Sequence, residues 1–179
     1  MRARTILSTL AVSILPSLAA AQAAPASPVA NAFREYAATE AKNLIGAAET
    51  MPADKYAFKP TPAQMSFADI VVHLSGGNDA LCGAIGNMKA PTRTKVPATS
   101  GKEALVARLK ETFDFCHQAL TKLDDSALSQ ELSLFGQKMT RAGFEMEAAG
   151  DWADHYSQTA VYLRLNGQLP PTAQKKPGA

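Results

Sequence analysis

The chain has 179 residues, eighteen basic and sixteen acidic, for a formal net charge of +2. Two of the basic residues, Arg2 and Arg4, head an expected leader that carries no acid, so its removal leaves sixteen of each sign. A near-neutral chain without a basic stripe gives no footing for a nucleic-acid partner.

Residues 1–23 have the layout of a signal peptide. A basic head precedes an apolar run from Ile6 to Ala20, and the small residues from Ala19 to Ala23 suit cleavage. A retained anchor is the rival reading, but the run is shorter than the roughly 20 residues a span needs, and Pro16 sits inside it. Export to the periplasm or beyond is therefore expected, with cleavage near residues 21–23 and no stable membrane anchor. No cysteine follows the run, which argues against a lipid anchor. One domain's worth of chain remains. It is read as a helical bundle over 24–169 and a disordered tail over 170–179.

Helix 1 is expected from about 29 to 50, with Phe33, Ala37, Ala41, Leu44 and Ala48 on one stripe. Pro52, Pro60 and Pro62 then mark a loop in which Tyr56 and Phe58 serve as aromatic anchors. Helix 2 opens at Ser66, a good N-cap, and Asp69 stands where a capping-box partner belongs. It continues to about Asn87. Gly76 and Gly77 interrupt its stripe, and two readings stand: close packing or a bend, or space kept beside His73. A loop over 88–100 leads to helix 3, from about Gly101 to Leu123, whose Leu105, Leu109, Phe113, Cys116 and Leu120 form the cleanest seam in the chain. Residues 124–140 are polar apart from Leu132, Leu134 and Phe135, with room for a short extended piece. Helix 4 is expected from Thr140 or Arg141 to Asn166. Asn166 and Gly167 offer a left-handed cap, and Pro170 and Pro171 prevent continuation. The pattern predicts an all-α four-helix bundle.

Cys82 and Cys116 are the only cysteines. Outside the cytoplasm one disulfide is the expected state; two buried thiols are the alternative. Each cysteine lies about sixteen residues into its helix. They reach the same height only if helices 2 and 3 run parallel, because a disulfide holds its Cα atoms within roughly 7 Å. A parallel pair needs a crossover of about 30 Å, which the thirteen-residue loop spans when extended. A disulfide would therefore imply up-down-down-up order, with a long crossover between helices 2 and 3.

The chain has three histidines, and two of them share a chemistry. Asp151 and His155 are four apart on helix 4 and project from one face. His73 lies at a comparable height on helix 2 if the two helices are antiparallel. The three residues can hold one metal, or Asp151 can serve only as a solvated ion-pair partner. Glu147, four before Asp151, is a candidate outer carboxylate. Tyr156 and Gln158 are candidate ligand contacts. His117 belongs to no motif and reads as a partly exposed structural residue, and Trp152 as core. No C-x-x-C-H, G-x-S-x-G, phosphate loop, Rossmann glycine pattern or H-E-x-x-H is present.

The run Ser66-Phe67-Ala68-Asp69-Ile70-Val71-Val72-His73-Leu74, with Asp151-x-x-x-His155-Tyr156-x-Gln158 and Tyr162-Leu163-Arg164-x-Asn166-Gly167-x-x-Pro170-Pro171 far downstream, resembles the DinB-like family. That resemblance implies an up-down-down-up bundle and a divalent metal, zinc or nickel, held by one helix 2 histidine and an H-x-x-x-H pair on helix 4. The corresponding positions are His73, 151 and 155. Position 151 departs from the pattern, being Asp. Two histidines and a carboxylate suit iron(II), with zinc and nickel as further options. The family includes metal-dependent thiol transferases and an isomerase, and its members are often homodimers. The expectation is an exported metal-dependent hydrolase or transferase acting on a small molecule. The alternative is a non-catalytic envelope module that binds a small ligand or a partner protein.

Overall fold

The computed structural model describes residues 27–174. The leader at 1–23 and the end of the expected tail, 175–179, lie outside the described residues. Apart from short 3-10 turns, the described residues form four α-helices and one small hairpin: α1 (Pro28–Thr50), α2 (Phe67–Ile85), α3 (Lys102–Leu120), β1 (Glu131–Leu134), β2 (Gln137–Thr140) and α4 (Arg141–Leu165). The chain is mostly helical, broadly as the all-α expectation has it, with the addition of a small two-stranded antiparallel sheet. The strands fall where the extended piece was expected.

α1 starts at a proline, whose missing N–H costs nothing in the first turn. Its free N–H groups find a distant acceptor: Val29 and Ala30 donate to the Asp125 carboxylate, at 3.2 and 2.8 Å, in the turn that follows α3. Arg34 returns the favour by donating to the Leu120 and Leu123 carbonyls at the end of α3. In the loop after α1, Tyr56 is buried, donates to the Ala48 carbonyl at 2.6 Å and meets Phe67 edge-on.

α2 begins with a complete capping box. The Asp69 amide donates to Ser66 Oγ at 3.1 Å, and the Ser66 amide donates to Asp69 Oδ2 at 3.0 Å. Hydrogen bonds from Ser66 hold the Asp69 carboxyl below its ordinary value of 3.8. A depressed acid stabilises the fold above its unfolded value and loses that effect as the pH falls through the folded one. Ser66→Ala is expected to cost about 1 kcal/mol in urea titration near neutrality. The difference should shrink once Asp69 is protonated.

Three contacts set α2 against α3. Asn78 bonds Thr112, Cys82 is disulfide-bonded to Cys116 with Cα atoms 5.0 Å apart, and a Cβ on Gly86 would overlap the Ala119 carbonyl. The numbers rise together, so the two helices advance in the same sense. Against α4 they run oppositely: Phe67 lies by Tyr162, His73 by His155, and Asn78 by Trp152. Trp152 is fully buried, stacked on Phe33 at 5.8 Å and tilted against Phe113 at 6.1 Å. Its indole N–H donates to Asn78 Oδ1 at 2.8 Å, so the one polar atom of this core residue is satisfied.

α4 is capped by Thr140, which accepts from the Gly143 amide. It ends in a Schellman arrangement, with Gly167 at φ 72° and the Gln168 amide donating to the Leu163 carbonyl. Regular structure continues past residue 169. Pro171–Ala173 form a 3-10 turn held by Tyr156, and the Pro171 ring lies against Gly46, where an added Cβ would sit 3.0 Å away. Two prolines stop the helix without releasing the chain. Among the described residues no helix is long and apolar enough to cross a membrane.

Candidate metal centre

His73, Asp151 and His155 meet. Antiparallel packing of α2 on α4 brings His73 to the pair that one α4 turn already aligns. Asp151 Oδ1 lies 3.4 Å from His73 Nε2 and 3.3 Å from His155 Nε2, and the rings are 4.7 Å apart, edge to face. One ligand atom from each residue falls within 4.8 Å of the others. Donors about 2.0–2.2 Å from a shared tetrahedral ion stand roughly 3.3 Å from each other, so the two measured edges fit.

Exposure grades across the group. The side chains are 8% exposed for His155, 25% for Asp151 and 49% for His73. His155 is thus anchored in the core while His73 faces the open side. Burial pushes the Asp151 carboxyl up, but hydrogen bonds and charge from His155 and then His73 outweigh it and hold it below the ordinary value. Asp151 is an anion here, as a ligand must be. His155 Nδ1 is buried without a partner, so only the Asp151 side fixes that ring's tautomer.

A cleft of about 540 Å³ opens on the group, lined by His73, Asp151, Glu147, Gly76, Gly77 and Phe135 among others. Glu147 Oε2 is buried and has no hydrogen-bond partner. The glycine pair reads as space beside the site. A Cβ on Gly76 would meet nothing within 4 Å, and one on Gly77 would come 3.9 Å from Asp151 Oδ2. Glycine in a helix interior destabilises by about 1 kcal/mol against alanine, and no close packing at Gly76 offsets that.

A family model described as the DinB superfamily matches residues 36–158. The chain belongs to the DinB superfamily. The matched span takes in all three residues of the group. Two solved structures share the DinB fold. A DinB-like protein from Bacillus subtilis is 22% identical, with a TM-score of 0.64 over 82% of this chain and 100% of that one. Another from Bacillus cereus is 16% identical, with a TM-score of 0.67 over 79% of this chain and 95% of that one. No curated protein matches this DinB chain.

Other candidate residues divide. Glu147 lines the cleft. Tyr156 does not: its hydroxyl lies 2.8 Å from Thr172 Oγ1 and accepts from the Thr172 amide, so it serves the 3-10 turn. Gln158 donates to Asp154 on the exposed face of α4 at 2.7 Å. Tyr156, one helical residue beyond His155, is turned about 100° away from the group. His117 is exposed on α3 and belongs neither to this group of three nor to the lining of the cleft.

Phe135 is the cleft residue that sequence patterning passed over. It and Gly136 form the two-residue turn of the hairpin, with φ of 52° and 76°. Positive φ at both positions is the pattern of a type I′ turn, which favours Asn-Gly. A bulky aromatic in that backbone region is strained, yet the ring is 60% exposed and lines the cleft. Phe135→Asn is expected to raise stability by about 0.5–1 kcal/mol through turn relief while weakening small-molecule binding in the cleft. Thermal unfolding and ligand titration of the same variant read both effects; a variant that is stabilised and binds unchanged would remove Phe135 from the site.

Proposed function

We propose that His73, Asp151 and His155 hold one divalent cation and that this DinB protein is an exported metal-dependent hydrolase or transferase of a small molecule. The observation that carries the reading is the convergence of three donors from two helices beside a cleft of ligand size. Two imidazoles and a carboxylate suit iron(II), with zinc and nickel as further candidates. A cation so held supplies Lewis acidity. His155, locked in the core, sets the depth of the site. His73 leaves its outer side open to solvent and substrate. Glu147 adds a second carboxylate to the cleft wall beside Asp151. Gly76 and Gly77 keep the approach clear.

The up-down-down-up order and the export reading belong to the same proposal. Contacts pairing Asn78 with Thr112 and Phe67 with Tyr162 support the order. The disulfide and the character of residues 1–23 support a location outside the cytoplasm.

Metal analysis of the protein as purified, after zinc, nickel or anaerobic iron(II) loading and dialysis, tests the centre. One equivalent is expected in the parent and none in His73→Ala. Sub-stoichiometric metal in the parent, or equal metal in the variant, would sink the proposal.

A further inference from the structure

A second cleft, of about 420 Å³, lies on the other side of α2 and shares two wall residues, Val72 and Gly76, with the first. Its walls are largely apolar, with Val96, Pro97 and Leu105 from the crossover loop and α3, and its rim carries Arg93, Lys95 and Arg108. The crossover loop is clamped in place. Arg93 bonds Asp79 in a fork, at 2.7 and 3.1 Å, and reaches Glu111 at 3.2 Å. Arg108 bonds Glu111 at 3.0 Å and the Thr94 carbonyl at 2.8 Å. Both guanidinium groups are therefore spoken for. Lys95 is exposed and makes no ion pair or hydrogen bond among the described residues. Three cations against Asp79 and Glu111 leave one positive charge at this rim.

Between the clefts α2 presents Gly76. Nothing lies within 4 Å of where its Cβ would be, so no neighbour demands a glycine there. The missing side chain lowers the helix surface at one of the two residues, Val72 and Gly76, that the clefts share.

We propose that the two clefts are a single substrate groove with its saddle at Gly76. Its ligand class is a small organic anion: the anionic group pairs with Lys95, an apolar body lies along Val96, Pro97 and Leu105, and a donor atom at the far end reaches His73 and Asp151. This rests on the metal reading above, and it adds the class of substrate. Charge complementarity selects the anion, because Lys95 is the unpaired charge and a carboxylate or phosphate satisfies it without disturbing the two arginines.

The test uses full-length, zinc-loaded protein and two chelators in calorimetric titration. Suberic acid monohydroxamate carries a chelating end, an aliphatic chain and a carboxylate; octanohydroxamic acid lacks the carboxylate. The charged compound is expected to bind about fivefold tighter, the upper range for an exposed ion pair. Lys95→Gln should erase that preference. So should Gly76→Phe, whose Cβ meets nothing within 4 Å and whose ring is placed to obstruct the saddle; thermal unfolding checks that this variant is folded. Equal affinity of the parent for both compounds, no binding of either, or a preference that survives in either variant overturns the groove. Zinc uptake is measured on the same samples. Failure to take up zinc overturns the metal reading and the groove with it, whereas uptake with equal affinities overturns the groove alone.

Discussion

Asp151→His is expected to raise the ratio of zinc to iron(II) affinity by about tenfold, because it replaces the one oxygen donor with a third imidazole. The reasoning starts from the geometry. Asp151 Oδ1 is the shared vertex, 3.3–3.4 Å from both histidines, so a change there alters the donor set without moving α2 or the buried His155. The carboxylate also supplies the only negative charge among the three. Its loss leaves two positive charges of the cation uncompensated, and a harder oxygen-seeking ion suffers more than zinc. Asp151→Asn keeps the shape, removes the charge and should cost at least about a hundredfold in zinc affinity, since even loss of an outer partner costs about 10–100-fold. Competition titrations with a chromophoric chelator, under anaerobic conditions for iron(II), give both constants. An unchanged zinc-to-iron ratio in Asp151→His would mean that the carboxylate is an ion-pair partner and no ligand.

Reduction of Cys82–Cys116 is expected to lower stability by about 3–4 kcal/mol, from the entropy of closing a loop of this length in the unfolded chain. The cysteines are 34 residues apart in sequence, and the loop they close contains the whole crossover. Both are buried, at 0% and 2% exposure, so reductant should act only on unfolded chains. Urea midpoints of the oxidised protein and of protein reduced while unfolded and then refolded give the difference. A loss under about 1 kcal/mol would show that the unfolded chain gains little freedom from the cut.

The helices were legible because each carries a stripe at helical period and a recognisable end. Ser66 and Asp69 announced the α2 start, and Asn166 with Gly167 announced the α4 stop. The cysteine positions carried tertiary information as well, since equal depth in two helices is a statement about their relative direction. His73, Asp151 and His155 were legible as a set through helical spacing and the family resemblance. Tyr156 follows His155 directly and so turns to another face of the helix, toward Thr172; for Gln158, three residues on, helical spacing carried no sign that its amide bonds Asp154. Phe135 was hidden for another reason. It reaches the cleft through a turn, and turn residues have no period to betray them. Asn78 was likewise invisible, because only the fold shows that its amide faces the Trp152 indole and Thr112.

The two ends of the described chain leave from opposite poles. Ser27 lies beside Asp125, and Pro171 lies beside Gly46, nineteen positions further along α1. At the helical rise that is about 28 Å. A peptide joining Pro171 directly to Ser27 would therefore need roughly nine or more fully extended residues.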